Sequence, residues 1–94
     1  MSELNDAVCR VLQMIEPGHV ATYGDVGKQV GVFPRQAGRE VARVPDDVPW
    51  WRVVSANGTI ATCHEGTAPG LLIGEGVPMK NGRADLSRAR QEWS

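Results

Sequence analysis

The sequence predicts a mainly α fold with a small β-hairpin, a winged helix-turn-helix-like single domain. Three observations carry this. Apolar residues recur at helical spacing near the N-terminus. Two short helical segments follow, joined through a glycine-containing turn. A strand-like run, Trp51-Arg52-Val53-Val54, then leads to Asn57-Gly58, a dipeptide that favours a tight hairpin. At 94 residues the chain has room for one domain, residues 1–94, and for a modest core.

Each element follows from its residues. Leu4, Val8, Val11, Leu12 and Ile15 share one helical face, with Ser2 as N-cap and Pro17-Gly18 as the stop. Thr22 is an N-cap with Asp25 three residues on, a variant capping box that opens a helix over Tyr23 to Val30, ended by Gly31. Pro34 suits the first turn of the next helix, which runs through Val41 and Val44 and stops before Pro45. This second helix of the pair takes the recognition position, and Arg35, Arg39 and Arg43 recur along one side of it. The run from Trp51 to Val54, a type I′ turn at Asn57-Gly58 and a return over Thr59-Ile60-Ala61 make the wing. Beyond Thr62 the chain is irregular: a short helix over Leu71-Leu72-Ile73, another turn at Asn81-Gly82, and a basic segment from Arg83 to Trp93.

Composition narrows the function classes. Net charge is −1, which argues against binding nucleic acid by bulk charge. The distribution is uneven, however. Residues 28–52 hold Lys28, Arg35, Arg39, Arg43 and Arg52 against Glu40, Asp46 and Asp47. No apolar run approaches the roughly 20 residues that cross a bilayer, and the acidic N-terminus is unlike a signal peptide; the expected location is the cytoplasm, on the nucleoid when bound to DNA. Cys9, Cys63, His19 and His64 show no metal-ligand spacing, so no metal or cofactor is expected. Cys9 falls in the helical apolar pattern and reads as a core thiol.

Pro49-Trp50-Trp51-Arg52-Val53 is the most distinctive stretch in a chain with three Trp, one Tyr and one Phe. On a strand, adjacent side chains point to opposite faces, so one indole can enter the core while the other faces a cavity.

Taken with Thr22-Tyr23-Gly24-Asp25-Val26 and Pro34-Arg35-Gln36-Ala37-Gly38 upstream and Asn57-Gly58 downstream, this order resembles the DNA-binding domain of the O6-alkylguanine-DNA alkyltransferases. Their third motif reads P-C-H-R-V, and its Cys accepts the alkyl group; here that position is Trp50. The replacement resembles the alkyltransferase-like proteins, with P-W-H-R-V, which bind alkylated guanine in duplex DNA without removing the alkyl group and mark it for nucleotide excision repair. Glu75-Gly76-Val77 and Gly82-Arg83-Ala84-Asp85-Leu86 resemble that subfamily's tail.

The resemblance implies a DNA-binding protein that is not an enzyme, and the chemistry agrees: alkyl transfer needs a thiolate and a helping base, and Trp50 and Trp51 replace both. Base flipping is implied, because a stacked guanine cannot show its O6 substituent to a pocket. An arginine then fills the gap from the minor groove. The pattern R-x-V-G matches Arg35-Gln36-Ala37-Gly38 with Ala for Val, and Arg39 is the second candidate. Gly38 is expected to let the helix backbone approach DNA closely. Tyr23 matches the tyrosine that crowds the phosphate beside the flipped nucleotide. Trp50 is expected to pack on the base, Val53 to close the pocket wall, and Arg52 to support the fold or reach a phosphate. Ala56, Asn57 and Gly58 offer backbone N–H groups to phosphates. Thr62-Cys63-His64 stands where relatives carry basic residues, and Cys63 is a candidate displaced alkyl acceptor.

The implied partners are double-stranded DNA containing O6-alkylguanine and nucleotide excision repair proteins, with no membrane. The chain is expected to be monomeric, since no segment resembles a dimerisation helix. Two other readings stand beside this one: a winged-helix regulator that reads sequence in the major groove, and an interaction module that has lost DNA binding.

Overall fold

The computed structural model describes residues 3–93, and the backbone alone of Glu65. The Ser2 cap lies outside the described residues. Helix α1 (Glu3–Gln13) carries the predicted apolar face, with Val8 and Leu12 fully buried. It ends earlier than Ile15 because Met14 and Ile15 donate to the carbonyls three residues back, Val11 and Leu12, which tightens the last turn. Strand β1 (Ala21–Thr22) leads directly into α2 (Tyr23–Val30).

The capping box at α2 is complete. Thr22 Oγ1 accepts from Asp25 N at 3.0 Å, and Asp25 Oδ2 accepts from Thr22 N at 3.1 Å. The helix-turn-helix turn is set by glycines. Gly31 ends α2 in the left-handed region, φ +82°. At Gly27 an added Cβ would lie 2.4 Å from the Val32 carbonyl oxygen, so only glycine lets the chain fold back this closely. Helix α3 (Pro34–Val41) begins with proline as predicted and stops at Val41. The chain to Val44 continues as a looser turn, held by Arg43 N to Glu40 O and Val44 N to Val41 O.

The wing differs from the expectation. Trp50–Arg52 is a 3₁₀ turn, and only Val53–Val54 (β2) is strand. Strand β2 pairs in parallel with β1, Ala21 opposite Val53 and Thr22 opposite Val54. The predicted return survives as one bridge, Val54 to Ile60. Pro49 has no N–H to give a ladder, and the Trp50 and Arg52 amides turn back to Val48 O and Pro49 O. The Asn57-Gly58 turn is also not type I′. Gly58 has φ +86° and Asn57 does not share it, so the turn is closed from Ser55, with Gly58 N donating to Ser55 O at 2.8 Å and Ser55 N to Thr59 O at 3.0 Å. That is the pattern of a longer loop with a left-handed glycine.

The small hairpin of this protein lies later: β3 (Met79–Lys80) and β4 (Arg83–Ala84) pair antiparallel around Asn81-Gly82, both with positive φ. Helix α4 (Ala68–Gly74) is longer than the predicted 71–73 because Pro69 is accommodated in its first turn. Helix α5 (Leu86–Ala89) closes the chain, capped by Asp85.

Two buried clusters result. The first holds α1, α2 and α3 together through Val8, Leu12, Ile15, Val26, Ala37 and Val41, with Trp50 at its edge. The second gathers Val20, Val54, Leu72, Val77, Ala84 and Ala89 under β2, α4 and the hairpin. Trp51 and Ile60 pack against both. Polar ties cross between elements: Asn5 Nδ2 donates to Glu40 Oε1 at 3.1 Å, joining α1 to α3.

Candidate nucleic-acid interface

The helix-turn-helix presents Tyr23, Gly38, Arg35 and Arg39. Tyr23 is the first residue of α2, positioned by the capping box, and its ring lies beside Gly38 of α3: a Cβ there would sit 3.7 Å from Tyr23 Cδ1. That is ordinary contact, so the protein's own packing does not demand glycine at 38. Burial pushes the Tyr23 hydroxyl above its usual value, with the nearby Cys63 adding to the shift; it is a neutral donor near pH 7. Arg35 and Arg39 are both exposed. Among the described residues neither has an ion-pair or hydrogen-bond partner, whereas Arg43 lies 3.9 Å from Glu40. Arg39 directly follows the glycine that faces Tyr23, and Arg35 stands one turn toward the start of α3.

The adjacent tryptophans sit on a 3₁₀ turn, so the alternation of a strand does not separate them. Their rings meet edge to face, 5.8 Å apart at 90°. The burial of the two differs from the expectation, although Trp50 still borders a cavity. Trp50, expected at the lesion, is 2% exposed and belongs to the core, while Trp51 is half-buried. One face of Trp50 is covered by the His64 imidazole, stacked at 4.3 Å and 12°. His64 itself is pinned, with Nε2 3.0 Å from the Val44 carbonyl and Nδ1 3.1 Å from Cys63 Sγ. It holds φ +54°, a conformation that costs a non-glycine residue about 1 kcal/mol or more.

Trp50 does reach a cavity of about 290 Å³, together with Asp46, His64, Thr67 and Leu71. Sequence reasoning missed Asp46, Thr67 and Leu71 as lining residues and gave His64 no role. The only signal was the His64 position just past the wing; the stacking comes from a chain reversal that no local pattern announces. Val53 does not line this cavity. It is fully buried on β2, paired with Ala21, so its expected role as pocket wall is corrected to core packing. Burial pushes the Cys63 thiol up, away from the thiolate that alkyl transfer requires.

Arg52 has fold-supporting partners. Its Nε and Nη2 donate to the two Glu75 carboxylate oxygens at 3.0 and 2.5 Å, and Nη1 donates to the Ile15 carbonyl at 2.9 Å. These bonds tie the turn after α1, the 3₁₀ turn and the end of α4 together. Arg52 holds the Glu75 carboxyl below its ordinary value, against burial that raises it. The Arg52 guanidinium also lies 5.4 Å from the Trp51 ring. The Trp51 Nε1 is buried without a well-formed hydrogen bond among the described residues. Asn57 is exposed at the turn, its Oδ1 accepting from Thr59 N and Oγ1. The Ala56 and Asn57 N–H groups have no acceptor among the described residues.

Residues 3–77 match the model of the 6-O-methylguanine DNA methyltransferase DNA-binding domain. The chain is 38% identical over 97 residues to the DNA base-flipping protein of Escherichia coli K12, covering 93% of this chain and 71% of that protein. It is 36% identical over 64 residues to alkyltransferase-like protein 1 of Schizosaccharomyces pombe, covering 64% and 56%. Among solved structures, S. pombe Atl1 in complex with damaged DNA containing O6-carboxymethylguanine superposes with a TM-score of 0.83 at 26% identity, over 98% of this chain and 97% of that one. The Mycobacterium tuberculosis OGT–DNA complex gives 0.75 at 25% identity, over 95% and 52%. With its helix-turn-helix, its P-x-x-R-V turn and four fifths of its length matched, the chain belongs to the family of the 6-O-methylguanine DNA methyltransferase DNA-binding domain.

Proposed function

We propose that the chain is a non-enzymatic reader of O6-alkylguanine in duplex DNA. It approaches from the minor groove, extrudes the modified nucleotide and holds the base against the cavity that Trp50 and His64 line. The observation that carries this is that an indole, Trp50, stands where the resemblance puts the nucleophile, while burial pushes the nearby Cys63 thiol up and away from the thiolate form. Binding without transfer is the outcome of that chemistry. The names of the relatives, a DNA base-flipping protein and an alkyltransferase-like protein, support it.

In this reading Tyr23 crowds the phosphate beside the flipped nucleotide, and an α3 arginine fills the gap in the stack. Arg39 is favoured over Arg35 because it adjoins Gly38 at the Tyr23 ring, where the extruded nucleotide must pass. The protein acts as a monomer in the cytoplasm, and the bound complex is the signal that nucleotide excision repair proteins receive.

The test compares an O6-methylguanine duplex with its guanine counterpart by fluorescence anisotropy, with intact-protein mass spectrometry after incubation. The expected result is a large preference for the lesion and no added methyl mass. Equal affinity would sink the reading, and a mass increase would make Cys63 or Cys9 an acceptor. Arg39→Ala should abolish most of the preference; if only Arg35→Ala does so, the insertion belongs one turn earlier.

A further inference from the structure

A protein with ten cationic side chains against eleven acidic ones has few charges to spare for a polyanion, and their placement is informative. Arg52 is committed to Glu75 and Arg90 to Asp25, at 3.0 and 2.6 Å. Arg10 and Lys28 stand singly on α1 and α2. The remaining cations fall in two groups. One is Arg35 and Arg39 on α3, with Arg43 in the turn that follows it. The other is Lys80, Arg83 and Arg88, in and after the β3–β4 hairpin, all exposed and without an ion-pair partner among the described residues.

The second group borders a built groove. The Ser55–Gly58 turn is clamped to the hairpin: Ala84 N donates to Gly58 O at 3.0 Å, and a Cβ at Gly58 would lie 2.3 Å from the Ala84 carbonyl oxygen. Between turn and hairpin lies a groove of about 340 Å³ lined by Ala56, Asn57, Lys80, Asn81, Arg83 and Asp85 among others. The unpaired N–H groups of Ala56 and Asn57 belong to the same rim. Asp85 is the one carboxylate among the described lining residues: its Oδ1 accepts from Ser87 N at 3.2 Å and Ser87 Oγ at 2.6 Å, and it lies within electrostatic reach of Lys80 and Arg88. Free amides beside exposed cations are the elements of a phosphate contact, with the charges of Lys80, Arg83 and Arg88 outnumbering the one of Asp85.

We propose that this groove is a second, sequence-independent phosphate site for the backbone of the bound duplex, with Lys80 and Arg83 as its cations. It rests on the reading of the chain as a duplex-DNA binder. It supplies affinity and not lesion choice, because phosphates carry no information about the base.

The experiment titrates the full chain and its Lys80→Glu/Arg83→Glu variant with O6-methylguanine and guanine duplexes across a salt series. A Lys80→Arg/Arg83→Lys variant serves as the charge-keeping control. Both positions are exposed, and circular dichroism melts establish that the variants fold. The charge-reversed variant should bind both duplexes about tenfold more weakly, keep the lesion-to-guanine ratio, and lose about 2 from the slope of log affinity against log salt; the conservative variant should match the wild type. Unchanged affinity and slope overturn the inference, as does a loss confined to the lesion duplex, which would place the groove in the base pocket. Inorganic phosphate that weakens the variant and the wild type equally also counts against it. Failure of the parent reading is distinct: the unmodified chain itself would then show no lesion preference.

Discussion

Replacing Arg52 with alanine should weaken the domain and not its DNA contacts. The substitution removes three hydrogen bonds, two to Glu75 and one to the Ile15 carbonyl. The pair is mostly buried, with side chains 12% and 19% exposed. Breaking a fully buried pair costs about 3–5 kcal/mol because the remaining charge is stranded. Partial solvent access lowers this to about 2–3 kcal/mol, a fall of about 10–20 °C in melting temperature for a domain of this size. The effect carries a pH signature. The Glu75 carboxyl lies below its ordinary value of 4.5 in the folded protein, mainly through Arg52. Its contribution is therefore fully present above that ordinary value and is lost as pH falls through the lowered folded value. The gap between wild type and Arg52→Ala, read from thermal melts between pH 7 and pH 3, should narrow in the acid range but not vanish, since the Ile15 carbonyl stays unpaired. A melting temperature within a degree of wild type, together with weakened DNA binding, would refute this reasoning and make Arg52 a phosphate contact.

Other perturbations probe single features. Gly58→Ala meets both a left-handed backbone and the Ala84 carbonyl, and should cost about 1–3 kcal/mol in urea unfolding; an unchanged midpoint would mean the turn moves freely off the hairpin. His64→Ala uncovers the Trp50 face. It should shift Trp fluorescence and, if a flipped base takes the place of the imidazole, tighten O6-methylguanine binding about fivefold with guanine duplex unaffected; weaker lesion binding would show that His64 is part of the contact. Thr22→Ala removes the cap on Asp25 N and should lower stability by about 1 kcal/mol in the same urea assay, a loss that an unaltered midpoint would contradict.

Local rules located much of this protein. The capping box at Thr22, the stop at Gly31, the start at Pro34 and the apolar face of α1 were legible because each depends on residues within a turn or two. The same locality fails at the wing. Val53–Val54 has strand composition, but its partner is Ala21–Thr22, some thirty positions upstream, and no pattern within the segment names a parallel partner. Asn57-Gly58 and Asn81-Gly82 look equivalent in sequence; only the second adopts the paired positive φ angles, because the first is clamped by Ala84.

By itself the sequence determined the helix-turn-helix, the family resemblance and the tryptophan at position 50 where that resemblance puts a cysteine, since these rest on residue identity and short-range spacing. The tertiary structure alone decided which tryptophan is buried, that Arg52 is bound to Glu75, that His64 covers Trp50, and that Lys80 and Arg83 border a groove beside the Asn57 turn. Each of these joins residues far apart in the chain, and their meeting is fixed by how the two buried clusters pack, which is a property of the whole domain and not of any segment in it.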